Sequence, residues 1–118
     1  MNTLLNLSPK DVEKLIDENI VMIDVRRDDE WAHTGVIRNA HKMTFFDMFG
    51  NCDVPTWLRA FQKLVTSKDQ KFVLICAHAN RTKTVGGFLG KQLRYENVYE
   101  LDGGINYGWI DKGLKTVK

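Results

Sequence analysis

Short apolar runs separated by polar segments recur along the chain. The clearest runs are Ile20–Ile23, Phe72–Ile75 and Val98–Leu101, and Ala40–Met43 is a weaker fourth. Runs of this length, rich in β-branched and aromatic residues, are typical of strands buried on both faces of a parallel sheet. They predict the strands of a central sheet.

Apolar residues at helical spacing occupy the segments between these runs. Ser8 followed by Pro9 predicts a helix start, because serine caps helices and proline suits the first turn. Asp28–His33 predicts a short helix that ends near Gly35. Three further helices are predicted by stripes on one face: Trp57, Phe61, Leu64 and Val65; Val85, Phe88, Leu89 and Leu93; and a short terminal helix around Trp109.

The alternation of strands and helices predicts an α/β fold, with a central, mainly parallel sheet covered by helices on both faces. Ligands of such folds gather outside the carboxyl ends of the strands. Asp24 and Cys76 each follow an apolar run directly, so we expect both at that edge.

Composition favours one globular domain spanning residues 1–118, since 43% of the residues are hydrophobic. A net charge of +2 is too small to indicate a nucleic-acid or membrane partner. Residues 1–7 lack the basic and long apolar regions of an export signal. We therefore expect a reducing, cytoplasmic setting, in which Cys52 and Cys76 are free thiols.

The segment from Cys76 to Arg81 carries the candidate chemistry, because it joins a strand to a helix and begins with a cysteine. Unpaired N–H groups at a helix start favour negative charge, and a cysteine placed there favours the reactive thiolate. We expect the amides of Ala77 to Thr82 to line a small bowl above Cys76, with Arg81 as an added cation. The substrate-binding candidates are therefore Ala77, His78, Ala79, Asn80, Arg81 and Thr82.

Simpler interpretations exist for each candidate. Cys76 is otherwise a small core residue, a common fate of free cysteine. Arg81 and His78 are otherwise solvated loop residues, and Asp24 with Arg26 is more plausibly a structural support than a catalytic pair. Cys52 is either idle or a resolving thiol. His33 and His41 have no partners at metal-site spacing, so we expect no metal.

Four segments in order resemble the single-domain rhodanese-like family of sulfurtransferases. They cover nearly the whole chain: Ile23–Arg26; Asp29–Trp31 with Gly35–Ile37 and Asn39–His41; Cys76–Thr82; and Leu101–Ile105 with Trp109.

The resemblance implies a catalytic cysteine, Cys76, that carries sulfur as a persulfide. Family members take sulfane sulfur from thiosulfate, polysulfide or a protein persulfide, and pass it to a thiol, a protein or cyanide. The resemblance implies no organic or metal cofactor. The expected partners are thus a small sulfur-containing anion and a thiol or protein acceptor.

The active-site segment departs from the family at two positions. The family often has arginine directly after the cysteine and glycine two residues later, where this chain has Ala77 and Ala79. The lost positive charge argues against efficient use of dianionic thiosulfate.

Other functions also fit a cysteine and an arginine in one loop. A cysteine phosphatase or arsenate reductase typically has five residues between them, whereas Cys76 and Arg81 are separated by Ala77 to Asn80. A tighter loop suits one sulfur atom better than a tetrahedral phosphate. A non-catalytic binding or regulatory module is the other alternative, and a thiol-redox protein is weaker because no Cys-x-x-Cys pair exists.

Overall fold

The fold is described from a computed structural model, which covers residues 4–118. Residues 1–3, part of the segment in which we expect no export signal, lie outside this range. Five strands form one sheet in the order β1-β5-β4-β2-β3, and every neighbouring pair is parallel. The strands are β1 (Leu5–Leu7), β2 (Val21–Asp24), β3 (Ala40–Lys42), β4 (Phe72–Ile75) and β5 (Val98–Leu101).

Helices connect the strands on both faces. They are α1 (Pro9–Asp17), α2 (Asp28–Thr34), α3 (Val54–Leu64) and α4 (Arg81–Gly87), with π-helical segments at Phe88–Gln92 and Asn106–Ile110. The Ser8 hydroxyl accepts the N–H of Asp11 at the start of α1, as the cap prediction requires. The predicted α/β fold with a parallel sheet and helices on both faces is confirmed.

Two apolar clusters, one on each face of the sheet, form the core. Successive residues of β4 alternate between them: Phe72 and Leu74 join the cluster around Phe61, whereas Val73 and Ile75 join the cluster around Trp109. This alternation follows from the two-residue period of a strand. A strand buried on both faces explains why Phe72–Ile75 is apolar throughout.

The clearest differences from the predictions concern the first two strands and the helix after the Cys76 loop. Strand β1 was not predicted, and the second strand is shifted by one residue to Val21–Asp24. The single helix predicted across Val85 to Leu93 is α4 followed by the π-helical segment Phe88–Gln92. No helix within residues 4–118 is long and apolar enough to cross a membrane.

Candidate active site

Cys76 and Asp24 lie at the same edge of the sheet. β2 and β4 are neighbours, and Asp24 pairs with Ile75, the last residue of β4. The N–H of Val25 donates to the carbonyl of Ile75 at 2.9 Å and continues the pairing past the strand end. The expectation that both residues reach the carboxyl edge is confirmed.

The loop from Ala77 to Asn80 leads directly from Cys76 into α4. Ala79 is buried and has a φ of 63°, the left-handed region that favours glycine. The loop therefore keeps a backbone conformation suited to glycine although the chain has alanine there.

The backbone amides of the loop are unpaired. Among residues 4–118, the N–H groups of residues 77–82 have no hydrogen-bond acceptor. The first N–H groups of a helix lack intrahelical partners, and oriented loop amides attract anions. The amide-lined bowl above Cys76 stays a prediction, which needs such unpaired donors.

Cys76 itself is more enclosed than the sequence predicts. Its exposed fraction is 1%, and its side chain belongs to the apolar cluster that includes Leu74 and Val85. We expected an accessible sulfur at the floor of an open bowl, and the structure instead has Cys76 buried in the core. The cause is the strand period, because a residue two positions after Leu74 continues the same buried face.

A polar contact distinguishes Cys76 from an ordinary core residue. Its Sγ lies 3.8 Å from Oγ1 of Thr82, which is buried on α4. Thr82 Oγ1 donates in turn to Glu100 of β5 at 2.6 Å. Glu100 was missed by the sequence analysis, although a carboxylate within an apolar strand was a signal for it.

Arg81 is not free to bind an anion in this structure. Its Nη1 and Nη2 donate to the two carboxylate oxygens of Glu30 at 2.6 and 2.7 Å. Burial opposes ionisation of Glu30, but hydrogen bonds from Arg81 and the Arg27 amide outweigh it and lower the pKa of Glu30 to about 2. The predicted role of Arg81 as a free cation above Cys76 is therefore corrected to that of an ion-pair partner of α2.

The charge on Arg81 still acts on the cysteine. The hydrogen bonds to Glu30 raise the pKa of Arg81, and the charges of Glu30, Cys76 and Asp24 act in the same direction.

Asp24 and Arg26 form a buried structural pair. Nε and Nη2 of Arg26 donate to Asp24 at 2.9 and 2.8 Å, and its remaining donors bind Thr34 Oγ1 and the carbonyl of Gly35. Both side chains are almost fully buried, so each charge is compensated by the other. The interpretation as a support that ties β2 to the end of α2 fits these contacts.

His78 lies at the surface of the loop, as the simpler interpretation predicts. Its ring is 4.4 Å from that of Tyr107, and its Nε2 is 3.2 Å from Nδ2 of Asn106. Asn80 is exposed and Ala77 half-buried. The loop residues therefore face different environments, and only Ala79 and Thr82 are buried beside Cys76.

The glycine-containing turn after β5 is hydrogen-bonded to the start of the loop. The N–H groups of Ile105 and Asn106 donate to the carbonyls of Cys76 and Ala77 at 2.8 and 3.0 Å. Gly104 has a φ of 69°, and a Cβ placed there would lie 2.7 Å from the Cys76 carbonyl oxygen. The sequence analysis used this turn only as a family signature and missed its contact with the loop.

Cys52 and the histidines add no second centre. Cys52 and Cys76 are both free thiols, and Cys52 is exposed beside a pocket of about 410 Å³ that precedes α3. Within residues 4–118, no group of three or more His, Cys, Asp or Glu side chains is arranged to hold a metal ion.

Three comparisons place the chain among known proteins. It is 35% identical over 97 residues to a tRNA uridine(34) hydroxylase of Enterococcus faecalis, a match that covers 81% of this chain but only 28% of that protein. The chain thus spans about a quarter of this relative's length.

Two solved structures share the fold. The polysulfide-sulfur transferase homodimer of Wolinella succinogenes is 26% identical, with a TM-score of 0.69, and the match covers 97% of this chain and 78% of that one. A rhodanese-related protein of Thermoplasma volcanium is 24% identical, with a TM-score of 0.65 and coverage of 96% and 97%. Residues 8–111 match the rhodanese-like domain. With most of its length matched in this way, the chain belongs to the rhodanese-like domain family.

Proposed function

We propose that the protein is a sulfurtransferase in which Cys76 carries sulfane sulfur as a persulfide. The observation that carries this proposal is the position of Cys76 at the carboxyl end of β4, below a loop of unpaired amides. These donors suit the anionic outer sulfur of a persulfide. The similarity to a polysulfide-sulfur transferase supports the same chemistry.

The reaction consists of two transfers. Sγ of Cys76 gives up its proton and attacks the sulfane sulfur of the donor, an Sγ–S bond forms, and the donor's S–S bond breaks with its electron pair on the leaving group. A thiol or cyanide acceptor then attacks the outer sulfur and releases Cys76 as thiolate. Covalent catalysis of this kind has ping-pong kinetics.

Polysulfide is a better donor for this site than thiosulfate. Both terminal nitrogens of Arg81 are bound to Glu30, and the position after Cys76 is Ala77 rather than arginine. Thiosulfate concentrates its two negative charges in one small ion and so meets too little free positive charge here, whereas a polysulfide chain, also anionic, carries its charge at its ends and has less charged sulfane sulfur between them. Donor preference follows from this electrostatic difference.

The loop must move before a donor reaches the sulfur. The Cys76 side chain is 1% exposed, so a donor molecule cannot contact Sγ while the loop keeps this conformation. The carbonyls of Ala77 and Asn80 accept hydrogen bonds from Asn106 and Lys83, whereas His78 and Ala79 have no backbone hydrogen bond among residues 4–118, so this part of the loop opens at the lowest cost.

A non-catalytic binding module is the second candidate. The burial of Cys76 and the Arg81–Glu30 ion pair favour it, since both leave the loop without an exposed nucleophile or cation. The Enterococcus relative matches this chain over a minor part of its own length, as expected for a module within a longer protein. A phosphatase is less supported, because four residues separate Cys76 from Arg81.

Turnover with polysulfide and cyanide distinguishes the two candidates. We expect thiocyanate formation by the wild type and by Cys52→Ser, and none above background by Cys76→Ser. Cys52→Ser is the matched control, because it removes the exposed thiol and leaves the buried one. A wild type no faster than Cys76→Ser would contradict the transferase and favour the module.

A further inference from the structure

Glu100 is a buried carboxylate that the proposed reaction has not yet used. It lies on β5 with an exposed fraction of 2%. Its Oε1 accepts from Thr82 Oγ1 at 2.6 Å, and its Oε2 accepts from Lys83 Nζ at 2.7 Å. Burying a carboxylate is costly unless it is paired and hydrogen-bonded, so these two contacts explain how it is tolerated.

Glu100 is connected to the sulfur of Cys76 through the hydroxyl of Thr82. In the sheet, Glu100 pairs with Leu74, and Cys76 follows Leu74 by two residues on the same face. Thr82 lies between them, with Oγ1 3.8 Å from Cys76 Sγ. The structure therefore contains a continuous chain of polar atoms from the thiol through a hydroxyl to a buried carboxylate.

The number of protons on each group determines which group donates in each of these hydrogen bonds. A hydroxyl has a single proton, and Thr82 donates it to Glu100, since an ionised carboxylate only accepts. Thr82 can then only accept from Cys76, so the Sγ–H proton points at Oγ1. The arrangement holds Cys76 as a thiol with an exit for its proton.

We propose that Glu100 receives the proton of Cys76 through Thr82 when Cys76 attacks. The Sγ–H bond breaks and its proton passes to Thr82 Oγ1, while the proton of Thr82 passes to Oε1 of Glu100. The electron pair left on Sγ forms the new bond to the electrophile, whose leaving group departs with its own pair. Glu100 is thus a positioning residue that acts on Cys76 through Thr82.

Charged side chains lie near both ends of this path. Arg81 interacts electrostatically with Cys76 and with Asp24, and Lys83 Nζ donates to Glu100 Oε2 at 2.7 Å. The strand neighbours of Glu100 are uncharged, namely Leu74 on β4 and Asn6 on β1. The transfer leaves Glu100 neutral, and the negative charge ends on the departing leaving group, so the total charge does not change. The Lys83 side chain is 58% exposed, so the Glu100 end of the path lies near solvent.

This inference rests on the proposed role of Cys76 as nucleophile, and its test is separate from sulfur transfer. The measurement is the rate at which iodoacetamide alkylates Cys76, followed by intact mass across a range of pH, in a Cys52→Ser background. The variants are Glu100→Gln and Thr82→Val, which keep shape and remove the carboxylate or the hydroxyl. Thr84→Val is the matched control, because it makes the same substitution at an exposed position of α4. Thermal unfolding of each variant verifies that it is folded.

We expect Glu100→Gln and Thr82→Val to react at least about tenfold more slowly near neutral pH, and to approach the wild-type rate only at high pH. Thr84→Val should follow the wild-type profile. The double variant should be no slower than either single variant, because both remove one relay. A purely structural role for Glu100 lowers the unfolding temperature and leaves the pH profile unchanged.

Three results would overturn the relay. They are a Glu100→Gln variant that reacts as fast as the wild type at neutral pH, single-variant losses that multiply in the double variant, and a wild-type Cys76 that reacts at no pH. The first two would leave sulfur transfer intact, whereas persulfide formation by the same proteins tests the proposed function independently.

Discussion

The chemistry of this protein depends on how single residues are enclosed around one sulfur atom. Cys76 belongs to an apolar cluster, and its Sγ also lies 3.8 Å from Oγ1 of Thr82. An apolar environment alone makes a cysteine inert, while donors and a nearby cation make it reactive. The polar contacts therefore determine which of the two behaviours Cys76 has.

Gly104 supports that environment through its missing side chain. In Gly104→Ala, the new Cβ would meet the Cys76 carbonyl, and alanine would have to adopt a φ of 69°. We expect a loss of at least about 2 kcal/mol in the free energy of unfolding, measured by urea denaturation.

Gly87→Ala is the matched control for this substitution. Gly87 is helical, and a Cβ added to it would meet no atom of residues 4–118 within 4 Å beyond its own stretch of helix. We therefore expect a change within about 1 kcal/mol, in the stabilising direction. If Gly104→Ala were as stable as the wild type, the close contact between the glycine turn and the cysteine loop would be refuted.

At the residue scale, the sequence was enough to find the nucleophile candidate but not its partners. Cys76 follows an apolar run directly, and that position in a βα unit is visible without coordinates. Glu30 and Arg81 are far apart in the chain, and no local pattern joins them. Only the packing of α2 against the loop brings the two side chains together, so their ion pair required the structure.

At the scale of secondary-structure elements, a few ion pairs and hydrogen bonds between side chains fix the positions of the helices around the site. Glu30 of α2 and Arg81 of α4 link two helices across the mouth of the site, and Arg26 ties β2 to the end of α2. Movement of α4 relative to α2 therefore requires that the Glu30–Arg81 pair break.

The Glu30–Arg81 pair makes stability depend on pH in a defined direction. The pKa of Glu30 is about 2 in the folded protein and 4.5 in its ordinary state, so its contribution is present above pH 4.5. It is lost as the pH falls from 4.5 towards 2. Glu30→Gln should cost about 1 kcal/mol near neutral pH, a value reduced by partial solvent exposure, and the difference from wild type should shrink below pH 4.5.

Denaturation of both proteins at several pH values measures this effect. Asp17→Asn is the matched control, because Asp17 forms an ion pair with Arg38 at an exposed site, where we expect under about 0.5 kcal/mol. A constant difference between Glu30→Gln and wild type across the acidic range would show that the charge of Glu30 does not stabilise the fold.

Longer and more deeply buried strands were predicted from the sequence more accurately than short, exposed ones. β4 and β5 were predicted to the residue, because runs of four buried residues in a strand leave a clear pattern. β1 has three residues at the edge of the sheet, two of them exposed, and so has no pattern to detect. The π-helical continuation of α4 preserves the apolar stripe, which explains why one continuous helix was predicted there.

For the molecule as a whole, the parallel sheet collects the candidate residues at one edge. β2 and β4 end beside each other at the centre of the sheet, between the two apolar clusters. The α/β class and the position of the site follow from the alternation of elements in the sequence. The burial of Cys76 does not follow from this alternation, because it depends on the packing of the loop and the glycine turn.

The central claim of the proposed function is that Cys76 accepts a sulfur atom. The claim depends on the whole molecule, because the Cys76 side chain is buried. The loop, the glycine turn and the Glu30–Arg81 pair must all allow a donor to reach it.

Intact mass after incubation with polysulfide, followed by peptide mapping, tests this claim most directly. We predict a gain of one sulfur atom on Cys76 that a reductant removes, and no gain at residue 76 in Cys76→Ser. A wild-type protein whose Cys76 gains no sulfur from polysulfide, thiosulfate or a protein persulfide would contradict it.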